Sequence, residues 1–183
     1  QQLTRLIMLA GAYVAARGVF DYARGANLVE DGRLAGAVSG IFGNPNDLAM
    51  NMVCLMPIAA LTALGRHNSL SWRAIGGVAA VLMTATVLFT KSRGGALGLV
   101  IAALVILFTS RAIKPAVGVA LLASTLVVTP LLPDTFWARM ATIIDAEADA
   151  GFTGSRDERA TLMLEGIQAF LRHPLTGVGV GQF

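Results

Sequence analysis

Charge is scarce in this chain: Lys, Arg, Asp and Glu together make up 14% of its 183 residues, against about a quarter in an ordinary soluble domain. With 55% hydrophobic residues and a mean hydropathy of +0.68, that scarcity excludes the soluble classes and leaves a membrane protein. Cysteine is nearly absent. The single Cys54 lies inside an apolar run, so a disulfide and a thiolate metal site are both excluded, and the residue reads as a packing element. The chain has no G-x-x-x-x-G-K-[ST] element, no G-x-S-x-G elbow and no H-E-x-x-H pair, which removes P-loop nucleotide binding and the common serine and zinc hydrolase chemistries. Repeats of roughly 20 to 50 residues and low-complexity tracts are missing too. The chain lacks an initiating Met and a signal peptide, and Phe183 falls in loop-like sequence; the expectation is a fragment of a longer protein.

What the chain does have is apolar runs of spanning length. Crossing the hydrocarbon core takes roughly 20 residues, with about 17 as the lower limit. Leu48 to Gly65, Ala74 to Thr90, Gly94 to Ser110 and Pro115 to Leu132 carry no charge and are bounded by polar residues. Leu3 to Tyr22 is a weaker fifth, because Arg17 must snorkel or face the bundle interior. If the five alternate, Arg5, Arg66, Arg73, Arg111 and Lys114 share one side in short loops that hold no acid. The positive-inside rule makes that side cytoplasmic and turns Asp21 to Pro45, Lys91-Ser92-Arg93 and everything after Pro133 outward. The net charge of +3 and pI of 9.6 therefore orient helices and do not call for nucleic acid.

The expected fold is thus all-α, a polytopic membrane helix bundle over residues 1–133 with about five spans (3–22, 48–65, 74–90, 94–110 and 115–132). Residues 134–183 follow as amphipathic helices outside it. Phe136, Trp137, Met140, Ile143 and Ile144 recur at helical spacing and suit an interfacial helix with an aromatic anchor. Arg159 to Arg172 forms a second helix that should stop at His173, since the residue before Pro174 is pushed out of the α region.

Three motifs carry possible chemistry, each with a plain structural alternative. Asn44-Pro45-Asn46 precedes an apolar helix: either Asn46 or Asp47 merely caps it, or the triplet shapes the rim of a substrate cavity. Lys91-Ser92-Arg93-Gly94-Gly95 leaves almost no room for a loop, so Arg93 is held at the membrane boundary. There it either snorkels beside a Gly94-to-Gly98 packing notch, or joins a helix N-terminus in binding phosphate. Arg156, Arg159 and Arg172 are either a solvated face paired with Asp157, Glu158 and Glu165, or donors to an anionic substrate, and the plain reading of His173 is a polar residue that ends a helix. The acidic run Asp145-Ala-Glu147-Ala-Asp149 reads as a solvated loop and not as a metal site. Gly177-Val-Gly179-Val-Gly181 follows a helix where a dinucleotide fingerprint needs a strand, so no nucleotide is implied.

In order and membrane context, Gly43-Asn-Pro-Asn-Asp-Leu-Ala49, Thr90-Lys-Ser-Arg-Gly-Gly95 and Arg159 fourteen residues before His173-Pro-Leu-Thr-Gly-Val-Gly-Val-Gly-Gln-Phe183 resemble the O-antigen ligase and polymerase membrane family. The resemblance covers essentially the whole chain, as later transmembrane helices and the start of the large periplasmic loop. It implies a bacterial inner-membrane glycosyltransferase, active on the periplasmic side, that moves a glycan from undecaprenyl-pyrophosphate to an acceptor hydroxyl on a glycan, lipid A core or protein. No metal and no cofactor is implied. Arg93 and Arg159, with Arg156 in reserve, become the pyrophosphate-binding residues, expected to approach one another across an outward-facing cavity. Asn44, Pro45, Asn46, Ser92, Gly94, His173, Pro174, Gly177 and Gly179 become site-shaping. The usual general base is a histidine of a later His-Asn motif, beyond Phe183, and His173 instead matches a structural His-Pro-Leu motif. One departure is Met163, where the family often has tryptophan. The rival reading is a transporter or noncatalytic membrane subunit whose arginines only bind an anionic lipid or glycan, since intramembrane charges mark such pathways as well.

Overall fold

The computed structural model describes residues 1–37, 42–109, 134–141 and 155–179. Within them the regular structure is helical apart from one two-stranded hairpin. The helices are α1 (Gln2–Ala23), α2 (Pro45–Leu64), α3 (Leu70–Phe89), α4 (Arg93–Thr109), α5 (Asp134–Ala141) and α6 (Ser155–Arg172). β1 (Leu28–Val29) and β2 (Arg33–Leu34) lie between α1 and α2. The chain divides into two compact units, Gln1–Trp137 and Ala138–Phe183. Helices α1, α2 and α3 are each long and apolar enough to cross a membrane, and α4 is a shorter apolar helix. The fold is a helical membrane bundle; the expected span at 115–132 lies outside the described residues.

In lipid, apolar side chains gain little by leaving their surroundings, so helices associate where small residues let backbones approach. The buried positions follow that rule. Helix α1 buries Met8, Gly11, Ala15 and Gly18 at helical spacing, while α3 buries Gly76, Ala79, Met83, Thr86 and Val87. Gly76 lies so close to α2 that a Cβ there would sit 2.8 Å from both Ala59 O and Ala63 N. Thr86 Oγ1 donates to Ala15 O at 3.1 Å and so ties α3 to α1. Outward-facing positions such as Tyr13, Val78, Val81, Ile101 and Phe108 are exposed and apolar, as lipid contact demands.

The contacts fix an alternating course. Arg5 stacks over Trp72 at 4.3 Å near the starts of α1 and α3, and Tyr22 stacks on Phe89 at 4.0 Å near their ends. These two helices therefore run parallel. Cβ atoms on Gly95 and Gly98 would meet Ala49 and Val53, so α2 and α4 run parallel as well. Gly76 against Ala59 and Ala63 sets α3 antiparallel to α2. The starts of α2 and α4 thus share one end of the bundle with the finishes of α1 and α3.

Several local expectations change. Asn44, not Asn46 or Asp47, is the N-cap of α2: its side chain accepts from Asn46 N at 2.8 Å. Pro45 explains this, because at the first helical position it lacks only an amide that would have had no partner. Pro57 sits inside α2 without ending it. Helix α3 starts at Leu70, taking in Trp72 and Arg73, whose Nε donates to Ala63 O at 3.1 Å. Cys54 is exposed, not a packing residue; the buried stripe of α2 runs through Leu48, Ala49, Met52, Met56 and Ala59, on another face. The packing notch of α4 falls at Gly95 and Gly98, whereas Gly94 has open space beside it. Arg17 reaches forward one turn to pair with Asp21 at 2.9 Å, its side chain 55% exposed, which is the snorkelling alternative.

Candidate functional site

The end of the bundle at which α2 and α4 begin is closed by the hairpin. β1 and β2 pair antiparallel, with Leu28 opposite Leu34 and Val29 opposite Arg33. The turn between them places Asp31 and Gly32 at φ 60° and 62°, a left-handed conformation that glycine takes freely and aspartate tolerates better than most residues. Leu34 is fully buried, and its Cδ2 would lie 3.3 Å from a Cβ on Gly18 of α1. The hairpin is therefore plugged into the bundle by one leucine. Its base is tied to α1 through Asp21, a buried carboxylate that accepts from Arg17 and, at 2.8 Å, from Asn27 Nδ2.

The residue before the plug makes the polar joint. Arg33 Nε donates to Thr90 O at 3.1 Å, and a terminal nitrogen of the same guanidinium donates to Asn46 Oδ1 at 2.9 Å. Ser92 Oγ donates to that same Asn46 oxygen at 2.9 Å and accepts from Gly95 N at 3.2 Å. Ser92 is thereby the N-cap of α4, satisfying an amide that the helix geometry leaves without a partner. One guanidinium and one amide oxygen link the start of α2, the end of α3 and the start of α4.

Between α3 and α4 only Thr90, Lys91 and Ser92 intervene, and all three are buried. Lys91 holds φ 50°, a conformation costing a side-chain-bearing residue about 1–2 kcal/mol. Its Nζ reaches Asp31 O at the hairpin tip, 2.6 Å away, so the hairpin and the tight turn clasp each other in both directions. Thr90 Oγ1 donates to Val87 O at 2.6 Å and accepts from Ser92 N at 3.2 Å. Arg93 is the first residue of α4 and is half-buried. This arrangement holds a cation at a helix N-terminus beside an unobstructed glycine, Gly94, which is chemistry suited to an anionic group.

Of the residues expected to form or shape a site, Asn44, Pro45, Asn46, Ser92, Arg93 and Gly94 come to this one end, and Asn46 and Ser92 bond directly. The others belong to the second unit. Arg156 and Arg159 lie on α6, and their side chains are outside the described residues. His173 and Pro174 are exposed in the turn after α6, where Gly177 N donates to His173 O at 3.0 Å. Gly177 and Gly179 take positive φ, 66° and 84°, as a glycine loop can. The acidic run at 145–149 lies outside the described residues. Among the described residues, no three His, Cys, Asp or Glu side chains gather as a metal site would require.

Sequence reasoning missed the roles of Arg33, which it took as no more than a charge in an outward-facing loop, and of Lys91, which it named only within the motif that holds Arg93. The available signal was Asp31-Gly32 flanked by Leu28-Val29 and Arg33-Leu34, a pair of residues that favours a hairpin turn. With a hairpin placed there, a cation next to its buried leucine points at the bundle end. Comparison with known proteins agrees with the membrane architecture: the family model described as O-antigen ligase matches residues 78–183, more than half of the chain. No curated protein and no solved structure matches.

Proposed function

Because the chain belongs to the O-antigen ligase family, a membrane family of glycan transfer, we propose that it acts as an inner-membrane glycosyltransferase drawing on undecaprenyl-pyrophosphate-linked glycan. The acceptor is a hydroxyl of a glycan, lipid A core or protein. The hairpin-capped end faces the periplasm, and the end with Arg5, Arg66 and Arg73 faces the cytoplasm, as positive charge in short loops favours. The observation that carries the reading is Arg93 at the first turn of α4, in a turn buried and cross-linked at the polar end of an otherwise apolar bundle.

The chemistry asks for such a residue. The acceptor oxygen bonds to the anomeric carbon as the bond from that carbon to the phosphate oxygen breaks; the hydroxyl proton passes to a general base, and the electron pair leaves on the carrier pyrophosphate. Fixed guanidinium groups stabilise that departing charge, a task other enzymes give to a divalent ion. Arg93, Arg159 and Arg156 take this role. Asn44, Pro45, Asn46, Ser92, Gly94, His173, Pro174, Gly177 and Gly179 are the site-shaping residues of this reading. The base is a histidine of a later His-Asn motif, not His173.

The test is Arg159→Ala in the full-length protein, with membrane insertion confirmed and surface polysaccharide resolved by length and by lipid attachment. Loss of long chains from the lipid anchor while carrier-linked glycan of normal length accumulates identifies a ligase. Loss of long chains on the carrier itself identifies a polymerase. An unchanged pattern removes Arg159 from the mechanism.

A further inference from the structure

We infer that Arg33 is a positioning residue for Arg93: it holds the Thr90–Ser92 turn so that the first turn of α4 presents Arg93 in one fixed place. The inference rests on the assignment of Arg93 to the donor pyrophosphate. Arg33 lies on β2, outside the helices that supply the site, yet among the described residues its guanidinium is the one group bonded both to the carbonyl that ends α3 and to the amide oxygen that Ser92 also holds. Two of its nitrogens, set in a rigid plane, meet acceptors on α2 and on the α3–α4 turn at 2.9 and 3.1 Å.

The turn needs this support. It is three residues long, Lys91 within it holds a positive φ, and Lys91 spends its own ammonium on the hairpin tip. Remove the guanidinium, and Asn46 Oδ1 loses one of its two donors while Thr90 O loses an external bond. Ser92, which orients α4 by capping Gly95 N, keeps its bonds to Asn46 and Thr90, but both of those residues have then lost the guanidinium that braced them. Lysine cannot substitute, because an ammonium on a flexible stem is a point donor without the fork that spans both acceptors. Electrostatic stabilisation of a leaving group requires donors already in place when the charge develops. A loosened turn therefore costs rate even though every group at the reacting centre remains.

The experiment uses the full-length protein in nanodiscs with a lipid-linked glycan donor. Arg33→Lys and, approaching the same joint from α2, Asn46→Ala are compared by hydrogen–deuterium exchange over Thr90–Ala96 and by the kcat of glycan transfer per folded molecule. Both variants should speed exchange over that segment about tenfold, the scale of a lost hydrogen bond to a charged group, with the middle of α3 unaffected. Arg33→Lys should lower kcat about tenfold by the same measure. In an Arg93→Lys background its further effect should fall below roughly twofold, because residues that act as a unit are not additive. Unchanged exchange in both variants overturns the inference, and so does an equal loss of kcat in both backgrounds, which is what a merely structural role would give. If Arg93→Ala is inactive while Arg33→Lys keeps full kcat, the inference alone fails. Full transfer by Arg93→Ala overturns the pyrophosphate assignment and the inference with it.

Discussion

The two ends of the bundle both carry cations, and they use them differently. At one end Arg66 and Arg73 are exposed, Arg73 donating to a single carbonyl, and Arg5 lies over the Trp72 ring. Each of these two contacts joins one pair of helices, α1 to α3 through Trp72 and α3 to α2 through Ala63. At the other end Lys91 is buried, and Arg33 and Lys91 bond to groups 57 and 60 residues away in sequence. The first arrangement suits residues that fix which way helices insert. The second organises backbone, joining three helices and a hairpin around the start of α4. The same residue types therefore make pairwise contacts at one end and a cross-linked joint at the other.

The comparison can be sharpened by substitution. The largest effect belongs to the crossing of α2 and α3 below the orienting end, where packing and not polar bonding does the holding. Gly76→Val would drive new atoms into Ala59 O and Ala63 N; backbone cannot swing aside, and the loss should reach about 3 kcal/mol. Detergent-titrated unfolding should show it, together with a fall in the amount of protein in the membrane. Leu34→Ala withdraws the plug of the hairpin and should cost about 2 kcal/mol, seen as faster hydrogen exchange over residues 28–35 with α2 and α3 little changed. Uniform loss of protection across the whole bundle would instead make the hairpin part of the global core. Arg5→Ala removes the cation over Trp72, worth about 0.5–1 kcal/mol, and should leave glycan transfer as it was. A drop in transfer there would erase the distinction between the ends.

Much of the bundle was legible from hydropathy, because an apolar run of spanning length has few other uses. Helices α1 to α4 fall on four of the five expected runs, and the alternation of basic loops anticipated which helix ends lie together. Boundaries moved by up to four residues where side chains override composition, as with Pro45 behind its Asn44 cap and Trp72-Arg73 inside the first turn of α3. Cys54 faced the wrong way because a helix apolar all round has no periodicity to separate its lipid side from its packed side. The hairpin escaped notice since two residues per strand cannot show alternation. Arg33 was invisible for a different reason: among loop charges it is distinguished only by partners on other elements, Thr90 and Asn46, which no local pattern brings together.

The central claim is that the hairpin-capped end is the working end. It is tested most directly by measuring glycan transfer from a lipid-linked donor for the full-length protein carrying Arg93→Ala and, in parallel, Arg73→Ala. Removing a fixed donor to developing charge should lower the Arg93→Ala rate by about a hundredfold or more, while Arg73→Ala should stay within about twofold, as an exposed orienting charge would. Equal rates for the two variants would contradict the account, for the cross-linked end would then be no more than a cap.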